Sequence, residues 1–237
     1  MRTLGWDQEV MMPLGAGEAR AKQISALAGV LHERMTDPAL GDCLRVLKER
    51  NADAMGAVER CNIHEALRSY ELETKVPKRL VQELAELSSR GHGIWVMARQ
   101  ENRFADFAPV LKRFLSLKKE WAHCVAPDSQ PYDANIDLFE RGTTMAMITP
   151  VFERLKQELI PFINAIQHQA HQPDTSFLQG HFAVDRQESL ARRISRDIGF
   201  DFGKGRMDVS VHPFCGGSHP TDVRITTRYT DNNFIDS

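Results

Sequence analysis

The period of the apolar residues changes once along this chain, and the change limits what it can fold into. Up to about residue 200 apolar side chains recur at helical spacing. From Asp222 they alternate instead: Val223, Ile225, Thr227 and Tyr229 against Arg224, Thr226 and Arg228. A period of two is the mark of a half-buried strand. One strand alone leaves backbone donors and acceptors unpaired on both edges, so it needs partners. Met207 to Val211 is the nearest candidate, with the glycine-containing run Cys215 to Thr221 as the connection. The expected fold is therefore all-α, with antiparallel packed helices and one small antiparallel β-sheet at about 207–229. All of it is expected in a single helical domain, 1–237.

The helices can be read in order. Gly15 to Arg34 carries Ile24, Leu27, Ala28 and Leu31 at i, i+3, i+4, i+7. Thr36-Asp37-Pro38 restarts the chain as a cap followed by a first-turn proline, and Leu40, Leu44 and Leu47 continue it. A third helix is expected over Ala54–Thr74. Pro77 opens a fourth, with a kink or break near residue 91 because Gly91 and Gly93 each cost about 1 kcal/mol against alanine. Asp106 and Pro109 open a fifth, burying Val110, Phe114, Leu117 and Trp121. Residues 128–137 read as a loop. Thr143 or Thr149 caps a helix carrying Val151, Phe152, Leu155 and Leu159, and Pro161 should bend or restart it. Asp185 with Glu188 forms a D-x-x-E capping box for a helix to Ile198, stopped by Gly199.

Composition removes several classes. The chain has 237 residues, 42% hydrophobic and 26% charged, which is ordinary for a globular protein and unlike a disordered one. The net charge of -2 selects neither nucleic acid nor an anionic membrane. No apolar run reaches the roughly 18 residues of a membrane span, and the first residues lack a signal-peptide core. Cys43, Cys61, Cys124 and Cys215 lie far apart, so reduced thiols and a cytoplasmic location are expected. Both ends are rich in large apolar residues, Trp6 to Pro13 at one and Phe234 and Ile235 at the other. Termini are normally polar and frayed, so a truncated domain is expected.

Candidate chemistry is sparse. A catalytic zinc takes three protein ligands, often two histidines one helical turn apart and a carboxylate, which H-E-x-x-H supplies with a glutamate base. His64-Glu65 is followed by Arg68, and His32-Glu33 by Thr36, where the second histidine would stand. His168 and His171 sit in a polar helix end. His212 and His219 flank Cys215 and read as sheet-edge histidines with structural hydrogen bonds. There is no G-x-S-x-G elbow and no phosphate-binding glycine loop. Gly203-Lys204-Gly205-Arg206 reads as a solvated turn, and the Lys112-Arg113 and Lys118-Lys119 pairs as a solvent face.

Several segments together resemble the thermostable carboxypeptidase, or carboxypeptidase Taq, family of zinc metallopeptidases. They are Trp6-Asp7-Gln8-Glu9 with Met11-Met12-Pro13, Pro131-Tyr132-Asp133-Ala134, Phe139-Glu140-Arg141-Gly142, Phe182-Ala183-Val184, and Gly199-Phe200-Asp201-Phe202 followed by Gly205-Arg206-Met207-Asp208. The sharpest are His212-Pro213-Phe214 and Asp222-x-Arg224-x-Thr226-Thr227-Arg228, which match the family's HPF and DxRxT motifs in order. The resemblance implies a mostly helical protein with a deep groove, a small sheet along it, and hydrolytic release of single C-terminal residues by zinc or another divalent metal such as cobalt. It places His212, Pro213, Phe214, Asp222, Arg224, Thr226 and Arg228 at the substrate groove. The strand's implied jobs are to line the groove and to offer edge contacts to an extended peptide. Arg224 and Arg228 either supply positive potential for the substrate carboxylate or brace the metal-site glutamates.

The chain departs from the family in lacking H-E-x-x-H, the third ligand and the later motifs. It therefore resembles the N-terminal part of such an enzyme, with no catalytic residue and no metal ligand of its own. No cofactor is expected bound to this chain, and alone it is expected to be inactive. The alternative is a non-catalytic, truncated homologue that binds peptide or self-associates. By resemblance the expected partners are a peptide and a second copy in a homodimer, not nucleic acid or membrane.

Overall fold

The computed structural model describes residues 1–50 and 55–234, Arg50 by its backbone alone. Ala54 and Ile235, used above, lie outside the described residues. The helical class with one small sheet is as expected. The chain divides into two compact units, one of residues 17–152 and the other joining residues 1–16 to those from 153 onward. The second unit opens with helix α1 (Arg2–Val10).

The first unit contains α2 (Gly17–Met35), α3 (Pro38–Arg50), α4 (Ala57–Lys75), α5 (Lys78–Gln100), α6 (Phe104–Val125) and α7 (Pro131–Ile136). Helix α2 lies along α5. Its buried face is Ala21, Ser25, Ala28, Gly29 and His32, and it shares only Ala28 with the stripe read from periodicity. Leu27 and Leu31 are exposed. Small side chains let two long helices approach closely, and close packing outweighs side-chain hydrophobicity here. A polar bond fixes the contact, Ser25 Oγ donating to the Gln82 carbonyl at 3.1 Å, and another ties α2 to α4, with His32 Nδ1 3.1 Å from Glu73 Oε2.

Helix α5 runs through Gly91 without a break. Gly91 is buried, and a Cβ there would sit 2.8 Å from Val110 Cγ1. The glycine thus serves the α5–α6 contact and not a kink. Helix α6 starts at Phe104, so Pro109 falls inside it. The segment read as a loop holds α7, with Pro131 in its first turn, where a missing N–H costs nothing. The unit's main core joins Val76, Leu80, Leu117, Ala122, Val125 and Ala134. A smaller cluster of Leu44, Leu67 and Tyr70 ties α3 to α4.

Helix α8 (Met145–Gln167) passes from the first unit into the second. The Met145 N–H at its start donates to Asp133 Oδ1 at 2.7 Å. Pro161 does not interrupt it. Every residue from 151 to 167 is exposed, so water satisfies the carbonyl that the proline leaves without a partner.

In the second unit, α9 (Val184–Asp197) starts one residue before the expected box. Its cap is Ala183, with no side-chain bond, and Glu188 instead accepts from Arg192 Nε at 2.9 Å. The expected capping box is therefore not formed. Gly199 ends the helix region with φ +95, as expected.

The sheet consists of β1 (Gly205–Val209), β2 (Cys215–His219) and β3 (Asp222–Thr227) in the order β1-β3-β2. Only β2 and β3 are antiparallel; β1 and β3 are parallel. The sheet is thus mixed and not antiparallel throughout. The segment read as a connection is itself a strand, and its hairpin with β3 turns the chain round before β3 meets β1. Two neighbours make β3 the central strand, with both edges paired. Thr226, read as outward, is buried at 4% exposure.

Candidate functional site

Thr226 stands in the middle of β3 and its hydroxyl is the knot of the site. The Phe214 N–H donates to Thr226 Oγ1 at 2.8 Å, and Ser210 Oγ lies 2.7 Å from the same atom. Thr226 N–H in turn donates to the Phe214 carbonyl at 2.8 Å. Ser210 Oγ also lies 3.0 Å from the His212 carbonyl. The threonine of one motif thus holds the backbone of the other, and Ser210 closes the link from the end of β1. These bonds are buried or partly buried, where a lost partner is costly.

On β1 and β3 charge is arranged in matching pairs. Arg206 on β1 and Arg224 on β3 are register partners. Each pairs with an aspartate two residues along its own strand. Arg206 Nε donates to Asp208 Oδ2 at 2.7 Å, and a second bond of 2.6 Å reaches Oδ1. Arg224 Nε donates to Asp222 Oδ1 at 3.0 Å. In a β-strand residues i and i+2 share a face, so each strand supplies its own counter-ion. The Asp208 hydrogen bond raises Arg206 above the ordinary guanidinium value.

Trp6 of α1 spans both arginines. The guanidinium carbons of Arg206 and Arg224 lie 4.8 and 4.1 Å from its ring centroid, within cation–π range. Trp6 is 7% exposed, and its Nε1 is buried with no hydrogen-bond partner. Helix α1 is further tied to β2: Arg2 donates to the Gly217 carbonyl at 3.3 Å, and Thr3 Oγ1 lies 3.1 Å from Ser218 Oγ. Between α1 and the sheet is a cavity of about 520 Å³, lined among others by Arg2, Trp6, Glu9, Phe214, Gly217 and Arg224.

The residues singled out from sequence are therefore divided. Phe214 and Arg224 line the cavity, Asp222 holds Arg224, and Thr226 anchors Phe214 from beneath. His212 and Pro213 are exposed in the β1–β2 connection, and Arg228 is exposed just past β3. Sequence reasoning marked Arg206, Asp208 and Trp6 only as carriers of the resemblance, and missed their pairing and the role of Ser210. The mirrored Arg-x-Asp and Asp-x-Arg pairs on two strands were the available signal.

The site does not fit the divalent metal that the resemblance implies. Among the described residues no group of three or more His, Cys, Asp or Glu side chains could hold a metal ion. His219 Nδ1 is occupied in the hairpin turn, 2.8 Å from Thr221 Oγ1 and 3.2 Å from the Thr221 N–H that it accepts. Among the described residues no helix is long and apolar enough to cross a membrane.

Known proteins match this architecture along its whole length. The family model for carboxypeptidase Taq (M32) metallopeptidases matches residues 1–237. Thermostable carboxypeptidase 1 of Thermus thermophilus is 36% identical over 97% of this chain and 47% of its own length. Carboxypeptidase 1 of Bacillus subtilis is 31% identical over 97% of this chain and 46% of its own. A crystal structure of BsuCP superposes with a TM-score of 0.93 at 30% identity, over 99% of this chain and 47% of that one. Metallocarboxypeptidase 1 of Trypanosoma cruzi gives 0.77 at 31% identity, over 100% and 48%. The chain spans about half the length of these relatives. With the HPF and DxRxT residues joined in one hydrogen-bonded site, and with these matches, the chain belongs to the carboxypeptidase Taq (M32) metallopeptidase family.

Proposed function

We propose that this chain forms one wall of the substrate groove of a metallocarboxypeptidase that releases single C-terminal residues from peptides. The observation that carries the reading is the cavity between α1 and the sheet, where Trp6, Phe214 and Arg224 meet. Arg2 and Arg224 bring positive charge to it and Glu9 one negative charge, a net positive balance suited to the carboxylate of a peptide's C-terminal end. Strand β2 is an edge of the sheet, where an extended peptide can add backbone hydrogen bonds. Asp222 and Trp6 hold Arg224 rigid, so that binding costs little side-chain entropy.

Polarising the peptide carbonyl and activating water is the chemistry that a bound divalent metal would supply. Among the described residues no group of three or more His, Cys, Asp or Glu could hold it, and we infer that the chain alone is inactive. The wall's own task is to hold the peptide, and the groove residues His212, Pro213, Phe214, Asp222, Arg224, Thr226 and Arg228 serve that task directly or by support. A second reading, a non-catalytic peptide-binding or self-associating homologue, is favoured by the apolar residues exposed along α8.

Peptide binding tests the wall. Titration of a short peptide with a free C-terminus, followed by amide and indole NMR shifts, should move the signals of Trp6, Gly216 and Gly217 saturably. Arg224→Ala should weaken binding on the order of tenfold, one lost charge-assisted contact. Unmoved signals at millimolar peptide would overturn the assignment.

A further inference from the structure

Gly5 and Gly216 both line the cavity between α1 and the sheet, and no backbone demand explains either of them. Neither has a positive φ. A Cβ built on either one meets nothing within 4 Å. Gly217, the next residue on β2, is different: its φ is +150, and a Cβ there would lie 2.2 Å from the Asp222 carbonyl oxygen. Gly5 stands inside α1, where glycine is less favourable than alanine. Gly216 stands inside β2, where glycine also weakens the element. Both positions carry a local cost that the fold itself does not require.

The strand register puts this open space beside the charged part of the site. Arg206 pairs with Arg224, and Arg224 pairs with Gly216. Cross-strand partners share a face of the sheet, so the row across β1, β3 and β2 reads Arg206, Arg224, Gly216. Trp6 covers the two arginines, at 4.8 and 4.1 Å. The third place in the row has no side chain and borders the cavity of about 520 Å³. That volume falls within the roughly 300–1,000 Å³ of small-molecule sites. Trp6 and Phe214 give the lining its aromatic surface. A carboxylate held at Arg224 therefore has aromatic, unfilled space next to it. A basic side chain there would find one carboxylate, Glu9, against the guanidinium groups of Arg2 and Arg224. An acidic one would compete with the carboxylate for Arg224. A neutral, bulky side chain fits.

We propose that Gly5 and Gly216 keep the cavity open for a large apolar or aromatic group attached close to a carboxylate. In a peptide this group is the side chain of the C-terminal residue, so the two glycines set which C-terminal residues the wall accepts. The proposal deepens the groove-wall reading and rests on it.

The test uses the whole chain and four probes with a free carboxylate. Three are peptides: N-acetyl-Ala-Phe, N-acetyl-Ala-Gly and N-acetyl-Ala-Lys. The fourth, 3-phenylpropionate, has no peptide bond. Binding is followed by the Trp6 indole NMR signal. N-acetyl-Ala-Phe is expected to bind at least about tenfold tighter than N-acetyl-Ala-Gly, the gain from burying an aromatic side chain. Gly216→Val fills the space beside Arg224 and should bring that ratio close to one. Gly5→Leu should lower it from the opposite wall, and its thermal midpoint should not fall, because leucine favours the helix. General loss of structure would weaken both peptides alike and leave the ratio where it was.

Equal affinity of the parent for the phenylalanine and glycine peptides would overturn the proposal. So would a ratio that neither variant moves, or tighter binding of the lysine peptide than of the phenylalanine one. If no peptide binds, while 3-phenylpropionate binds the parent and not Gly216→Val, the groove-wall reading fails and the assignment of the cavity to an aryl carboxylate stands. If 3-phenylpropionate also leaves Trp6 unmoved, both fall.

Discussion

Thr226 and Phe214 hold each other by reciprocal bonds: the Phe214 N–H meets Thr226 Oγ1 at 2.8 Å, and the Thr226 N–H meets the Phe214 carbonyl at 2.8 Å. Two motifs separated in sequence are one structural object. The DxRxT strand supplies the anchor and the HPF segment is what it anchors.

Thr226→Val removes the shared oxygen but keeps the shape. It leaves the Phe214 N–H without its partner beside a buried apolar group and should cost about 2–3 kcal/mol. Thr226→Ser restores the oxygen and should cost under about 1.5 kcal/mol. Urea denaturation of the two variants checks the difference; equal losses would show that the hydroxyl is not the anchor.

Trp6 supports both arginines and is largely buried. Trp6→Ala should cost about 3–5 kcal/mol, as for other buried aromatic residues. Trp6→Phe keeps an aromatic face and also removes the indole N–H that has no partner, so its cost should fall well below that of alanine. Thermal melts of the two variants separate the outcomes.

Gly217 sits on β2 with φ +150, and a Cβ there would lie 2.2 Å from the Asp222 carbonyl oxygen. Gly217→Ala should therefore disrupt the β2–β3 pairing and cost about 1–3 kcal/mol. Amide exchange should speed up at Thr226, whose N–H donates to the Phe214 carbonyl across the hairpin at 2.8 Å, while the helices of residues 17–152 keep their protection. Unchanged exchange across the hairpin would contradict the assigned register.

Tyr229 gives a pH-dependent test. Its hydroxyl is buried with no hydrogen-bond partner. Burial first, and then the Glu188 carboxylate, raise its pKa above the usual tyrosine value, while Arg192 pulls the other way. A raised folded pKa means that the stability tied to the neutral phenol is complete below the unfolded value of about 10. It is lost as pH rises from there through the folded value. Tyr229→Phe should match or exceed the parent by up to about 1 kcal/mol at pH 8. Its advantage should widen between pH 10 and 11, as measured by urea midpoints.

How much of this was legible depended on what each residue type constrains. Helix existence was readable because Leu80, Leu117 and Val125 are buried at periodic positions. Which face packs was not: α2 buries Ser25 and Gly29 and exposes Leu31, a choice made by backbone proximity to α5. Glycine and proline misled for a related reason. Gly91 fills a tight helix contact, and Pro161 lies in a helix open to water, so neither breaks its helix. The sheet was readable as an alternation, but its mixed pairing depends on where β2 returns, which periodicity does not encode. In the site, the HPF and DxRxT residues were visible as motifs. Their mutual bond through Thr226 and Ser210, and the span of Trp6 over Arg206 and Arg224, appear only once the strands are in register.

The central claim is that this chain carries a groove wall and no metal centre of its own. Release of a C-terminal residue from a short peptide, assayed with purified chain and added zinc or cobalt, tests it most directly. The account predicts no release above the metal-only blank. Turnover that rises with metal, is abolished by a chelator and follows the chain through purification would contradict it.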